Sequence, residues 1–248
     1  MKRCAWLLAL LAIPFFFSLT AVAQEKLSAA VAANYIAAFK DIAAAFEKKT
    51  GVRIEATFAS SGSLYAQIVN GAPYDIYLSA DEDRPARLYK DNIAQKPFIY
   101  AKGRCVLWSA RKDFCRAKDW RDAVKGGGVK RIALANPETA PYGAAAEKAI
   151  RRAGLREALE KKRVIAQDIV QAFQYATTEA TDAGFCALSS VTTEQGKKGC
   201  YYLVEQAPEV VHSACVLKRT KNRQRAECFA AFLLSAEAEA IKLRFGYQ

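Results

Sequence analysis

The stretch Phe58 to Asp81, FASSGSLYAQIVNGAPYDIYLSAD, sets three hydroxyls, Ser60, Ser61 and Ser63, where a strand runs into a helix. Serine caps helix starts because its oxygen accepts from an unpaired first-turn amide. Those amides carry the positive end of the helix dipole. A strand that ends in a Ser/Gly turn and continues as a helix is therefore a cradle for a small oxyanion, here on Ser60 and Ser61. Taken alone, the stretch favours a plainer reading, an ordinary Ser-capped helix. Leu64, Ile68 and Val69 give that helix its apolar face and Gly71 closes it. Pro73 blocks continuation before the alternating strand Tyr74 to Leu78.

Other reactive residue types form weaker patterns. The single histidine, His212, lies in an apolar strand, and no G-x-S-x-G elbow accompanies it, so nucleophilic hydrolysis has no obvious base. No Walker loop and no G-x-G-x-x-G occur, and Gly126-Gly127-Gly128 sits between a helix and a strand as a flexible turn. Asp81 and Asp83 read as helix-start residues. Tyr201 and Tyr202, with His212 and carboxylates, form the one constellation suited to ferric iron; a strand with one Tyr on each face is the preferred account of the pair, because the anion turns explain more of the sequence. Six cysteines, Cys105, Cys115, Cys186, Cys200, Cys215 and Cys228, follow Cys4, with no C-x-x-C spacing. An even number in an exported chain points to disulfides and few free thiols, with the pairing open.

The elements that position these residues alternate. Strands are expected at Lys26–Ala33, Val52–Phe58, Tyr74–Leu78, Ile99–Ser109, Arg131–Ala135, Arg163–Ile165, Gly184–Ser189, Tyr201–Val204 and Val211–Leu217. Helices are expected at Tyr35–Thr50, after the Ser turn, after Asp81, at Asp119–Lys125, from Pro141 to Ala153, at Asp168–Ala180, Asn222–Leu234 and Glu237–Arg244. Such alternation implies an α/β protein with largely parallel sheets. Ligands in these folds lie outside the carboxyl ends of strands. Four turns qualify: after Ala33, after Phe58, after Ala135 and before Asp168. They suggest a cleft between two lobes, residues 24–102 with 213–248 and residues 103–212.

Met1 to Ala23 reads as a cleaved secretory signal, with Lys2 and Arg3, an apolar run from Ala5 to Leu19, and Ala21-Val22-Ala23 before Gln24. The run is short for a membrane span, which needs about 20 residues. The chain has 37 Lys and Arg against 25 Asp and Glu; loss of Lys2 and Arg3 leaves a net +10. This charge is scattered in pairs rather than in a stripe interleaved with aromatics, which with export argues against nucleic acid. It draws small anions toward the surface.

In order and spacing, Ala32-Ala33-Asn34-Tyr35, Ser60-Ser61-Gly62 with Tyr65-Ala66-Gln67-Ile68, Asn70 to Asp75, Ser79-Ala80-Asp81, Val106 to Ser109, Ala135-Asn136-Pro137, Ala140 to Gly143 and Gly184-Phe185 form a specific set. On these motifs the chain resembles the periplasmic molybdate-binding proteins of ABC importers, within the type II periplasmic binding fold. The resemblance spans essentially the whole mature chain. It implies a two-lobed α/β fold and an oxyanion, molybdate or tungstate, held by Asn34, Ser61, Tyr142 and Ile169. Asn34 and Ser61 would use side chain and backbone amide; Tyr142 and Ile169 would use backbone amides. It further implies a monomer that is no enzyme, has no cofactor or metal beyond the molybdenum or tungsten of the oxyanion, and delivers its ligand to a membrane permease. The chain departs from the family in having Asn34 where many members have Ser, Ala187 in place of a late tyrosine donor, and six mature cysteines. A ferric-binding protein using Tyr201, Tyr202 and His212, and a secreted hydrolase of anionic substrates, are the alternatives.

Overall fold

A computed structural model describes residues 26–248; the signal segment expected over Met1 to Ala23 lies outside the described residues. The strands are β1 (Lys26–Ala32), β2 (Arg53–Ala59), β3 (Ile76–Ser79), β4 (Phe98–Gly103), β5 (Cys105–Ser109), β6 (Ile132–Ala135), β7 (Arg163–Ala166), β8 (Ala183–Ala187), β9 (Cys200–Leu203) and β10 (Val210–Val216). The helices are α1 (Ile36–Thr50), α2 (Ser61–Val69), α3 (Asp83–Lys90), α4 (Trp120–Lys125), α5 (Pro141–Arg152), α6 (Arg156–Glu160), α7 (Ile169–Thr177), α8 (Leu188–Val191), α9 (Arg223–Leu233) and α10 (Ala236–Arg244). A short 3-10 turn, Ala33–Tyr35, leads from β1 into α1.

Two five-stranded sheets result, ordered β2-β1-β3-β10-β4 and β7-β6-β8-β5-β9. In each, two of the four pairings are parallel and two antiparallel, because one strand, β10 or β5, runs against the other four. The sheets are therefore mixed, not largely parallel. The cause is a double crossing. The apolar run Ile99 to Ser109, expected as one strand, is two: β4 ends at Gly103 in the first sheet and β5 begins at Cys105 in the second. The chain returns between Leu203 and Val210, and β10 enters the first sheet antiparallel to both its neighbours.

Alternating apolar residues bury each sheet against helices. Leu27, Phe39, Phe46 and Phe229 pack on one face of the first sheet; Leu64, Ile68, Tyr77 and Leu88 pack on the other. Leu107, Trp108, Leu134 and Phe185 anchor the second core. Each such side chain contributes about 1.5–3 kcal/mol on burial, which holds the strand ends steady beneath the turns they carry.

The cysteines correct an expectation. Cys115 and Cys200 form a disulfide, while Cys105, Cys186 and Cys215 are buried thiols and Cys228 is exposed. The three buried thiols fill strand positions in β5, β8 and β10 as small hydrophobes, so an even number did not mean full pairing. Burial pushes the Cys105 and Cys215 thiols up to about 12.

Candidate functional site

Four strands end at the same place. The ends of β1 and β2 in one lobe, and of β6 and β7 in the other, feed the turns that carry Asn34, Ser61, Tyr142 and Ile169. All four residues line one small cavity, with Ala32, Ala33, Ser60, Ala140, Pro141 and Asp168. Asn34, Ser61, Tyr142 and Ile169 are each buried.

The helix starts differ in how their first-turn amides are used. In α2 the Ser60 oxygen accepts from Ser63 N–H at 3.3 Å. In α7 one Asp168 oxygen accepts from Val170 and Gln171 N–H, both at 2.9 Å. Each cap serves the second or third turn amides and leaves the first, at Ser61 and Ile169, without an intrahelical acceptor. The other two starts have no side-chain cap: Ala140 precedes α5 and Ala32 precedes the Asn34 turn. Pro141 opens α5 without an N–H, so Tyr142 carries its first free amide.

The side chains add detail that the motifs do not show. Ser61 Oγ accepts from Ala80 N–H at 3.0 Å, which leaves its hydroxyl proton free to donate. Asn34 Nδ2 lies 3.0 Å from Tyr247 Oη and 3.4 Å from His212 Nε2, so its two hydrogens point into the interior. Its backbone amide starts the turn. No Lys or Arg lines the cavity, and the one carboxylate, Asp168, is engaged with its own helix.

Behind the cavity is a buried hub. His212 Nε2 also lies 3.4 Å from Tyr142 Oη, and its ring packs edge-on to Tyr35, Tyr142 and Tyr247 and tilted to Tyr100. Burial pushes the imidazole down to about 3, so it is neutral at pH 7. Burial pushes Tyr247 up to about 12 and holds Tyr35, Tyr100 and Tyr142 well above the ordinary phenol value. Of the residues in the ferric alternative, His212 thus belongs to this hub. Tyr202 donates instead to the carbonyls of Phe114 and Ala117, and Tyr201 is exposed on β9. The structure does not bring the three together, and no group of three His, Cys, Asp or Glu residues suited to a metal occurs among the described residues. Ala187 is buried and does not line the cavity.

The lobes meet at the cavity's outer edge too. Gly62 N–H donates to Thr139 O at 2.8 Å, and a Cβ on Gly62 would lie 2.9 Å from Thr139 Cα, so a side chain there would wedge the lobes apart. Arg84, ion-paired with Asp81, donates through Nη2 to Glu138 O at 2.8 Å.

Two α/β lobes closed over a cavity lined by helix starts define a solute-binding protein. The chain belongs to the bacterial extracellular solute-binding protein family, which matches residues 27–248. It is 37% identical over 241 residues to the molybdate-binding protein of Rhodobacter capsulatus, covering 96% of this chain and 93% of that one. It is 35% identical over 232 residues to that of Azotobacter vinelandii, covering 92% and 91%. The solved periplasmic molybdate-binding protein of Azotobacter vinelandii superposes with a TM-score of 0.85 at 33% identity, covering 90% of this chain and 98% of that one.

Proposed function

We propose that this protein captures molybdate or tungstate in the periplasm and hands it to the membrane permease of an ABC importer. The observation that carries the reading is the donor set. First-turn amides at Asn34, Ser61, Tyr142 and Ile169, with the Ser61 hydroxyl, surround a cavity that no cation lines. A tetrahedral dianion offers only acceptors, and each hydrogen bond to a charged group contributes about 1.5–3 kcal/mol. Several together support binding at about −8 to −12 kcal/mol, micromolar to nanomolar. The names of the similar proteins point to the same ligand.

Binding rather than turnover fits the site. Ser61 Oγ accepts from a backbone amide, with no histidine beside it on the cavity, so no base activates it for hydrolysis. The protein acts as a monomer, without nucleic acid, after cleavage behind Ala23. Its lobes are residues 24–102 with 213–248 and residues 103–212. The passage from one sheet to the other at Arg104 and the return after Leu203 support two such lobes, with Gly103 and Val210 to His212 pairing in the first sheet rather than the second. Opening and closing of the lobes would set capture and release.

A pair of variants tests the donor set. Proline fits the first position of a helix, so Ile169→Pro deletes one amide donor while α7 persists. Ile169→Ala trims the side chain and keeps the donor. Calorimetry should show molybdate bound roughly ten- to a hundred-fold more weakly by Ile169→Pro than by Ile169→Ala. Equal affinities would remove Ile169 from the site.

A further inference from the structure

We propose that Tyr247 is a positioning residue for the oxyanion site: its hydroxyl clamps both the carbonyl and the side-chain amide of Asn34, beside Ser189 of the opposite lobe, which bonds the same carbonyl. The inference rests on the functional reading above and deepens it.

The Asn34 turn does not hold itself. Neither Ala32 before it nor Tyr35 at the head of α1 makes a side-chain cap. Its orientation comes from a residue 213 positions away in sequence. Tyr247 Oη donates to Asn34 O at 2.8 Å and accepts from Asn34 Nδ2 at 3.0 Å. Ser189 Oγ, 2.9 Å from the same phenol oxygen, donates to Asn34 O at 3.0 Å. Two hydroxyls thus converge on one carbonyl. The peptide unit is planar and trans, so anchoring that carbonyl fixes the peptide plane that follows Asn34 and, with the side-chain amide clamped as well, holds the residue whose own N–H opens the turn.

Tyr247 is itself placed by neighbouring structure. Its N–H donates to Lys242 O at 3.1 Å, and Gln248 pairs with Lys102 through both backbone groups, at 2.6 and 2.9 Å, beside β4. Its ring meets Tyr35 edge-on with centroids 5.0 Å apart. Gly103, the last residue before the chain crosses between lobes, has no side chain to obstruct it. A Cβ there would lie 3.2 Å from Tyr247 Cε1 and 2.0 Å from Tyr142 Oη. The crossing strand is bare where the two phenols of the hub need room.

The test is a single-atom deletion with a matched control. Tyr247→Phe removes the hydroxyl alone. Tyr100→Phe removes a hydroxyl from an equally buried ring of the same cluster, one that sits 3.3 Å from Ser79 O and makes no bond to Asn34. Molybdate affinity by calorimetry should fall about ten-fold in Tyr247→Phe, the equivalent of roughly one hydrogen bond, and stay at the wild-type value in Tyr100→Phe. In ligand-free protein the NMR signals of the Asn34 side-chain amide should shift in Tyr247→Phe and not in Tyr100→Phe. Ser189→Ala, which removes one of the two hydroxyls on Asn34 O, should weaken binding in the same direction by less, and it decides the matter if Tyr247→Phe fails to fold. Unchanged affinity in folded Tyr247→Phe overturns the proposal. If the wild-type protein binds no tetrahedral oxyanion, the functional reading falls; the clamp is then overturned if the Asn34 signals, which need no ligand, do not move.

Discussion

The cavity is flanked by two seams between the lobes, and they are built from different materials. The inner seam is the hub: Asn34, Tyr142, Ser189, His212 and Tyr247, all buried, joined through side-chain hydroxyls, an amide and a ring. The outer seam is a rim: one backbone bond from Gly62 to Thr139 and one from half-buried Arg84 to the Glu138 carbonyl. A bond at the rim can be exchanged for water at small net cost, because the net worth of such a bond is about 0.5–1.5 kcal/mol. Breaking a bond in the hub leaves a buried polar atom unpaired, at about 1–3 kcal/mol each. The contrast assigns the hub to the pivot, which must persist in every state, and the rim to the edge that parts when the lobes open.

The largest effect expected from this contrast is on folding, and it belongs to the hub. His212 has an ordinary value near 6.5 when unfolded and about 3 when folded. Because the folded value is the lower one, the unfolded chain takes the proton first, and stability falls as pH drops from about 6.5 toward 3. Between pH 7 and pH 4 this costs on the order of 3 kcal/mol. Urea unfolding should show the stability advantage of wild type over His212→Gln shrinking by that amount across the range. A constant difference would mean that His212 is already charged or solvated in the hub.

Next comes the cavity wall between the seams. Ser61→Ala removes a donor from the anion and should weaken molybdate binding by about 1.5–3 kcal/mol, roughly ten- to a hundred-fold. It also strips the acceptor from buried Ala80 N–H, so some loss of stability should accompany it. Full affinity in folded Ser61→Ala protein would take Ser61 out of the site.

The smallest effect belongs to the rim. Arg84→Ala should speed ligand release two- to five-fold, about 0.5–1 kcal/mol, and leave the urea midpoint unmoved. A large loss of stability instead would show that the rim carries the fold and would erase the distinction between the seams.

How much of this was legible in the chain depended on the distance over which each feature is decided. The Ser60-Ser61-Gly62 start, the Asp168 cap and Pro141 at the head of α5 are local devices, set by residues within a turn of one another, and the motifs displayed them. Ile99 to Ser109 read as one strand because its apolar pattern is unbroken. Which sheet each half joins is settled by pairing with β10 and β8, far along the chain. The hub was invisible for the same reason. His212 read only as a histidine in an apolar strand, and nothing near Tyr247 announces that its hydroxyl reaches Asn34. The cysteines misled because counting says nothing about whether two thiols face each other.

Protonation offers the most direct test of the central claim, that the cavity is a donor-only cradle for a fully ionised tetrahedral anion. Phosphate near neutral pH carries a proton and needs an acceptor. The only carboxylate on the cavity, Asp168, spends an oxygen on Val170 and Gln171 of its own helix. A bound phosphate would set its O–H against donors, at about 1–3 kcal/mol. Competition calorimetry at neutral pH should therefore show molybdate and tungstate bound at least ten-fold more tightly than phosphate, roughly 1.4 kcal/mol or more. Phosphate displacing molybdate at comparable concentration would contradict the donor-only cavity and show that Asp168 turns into the cleft to accept.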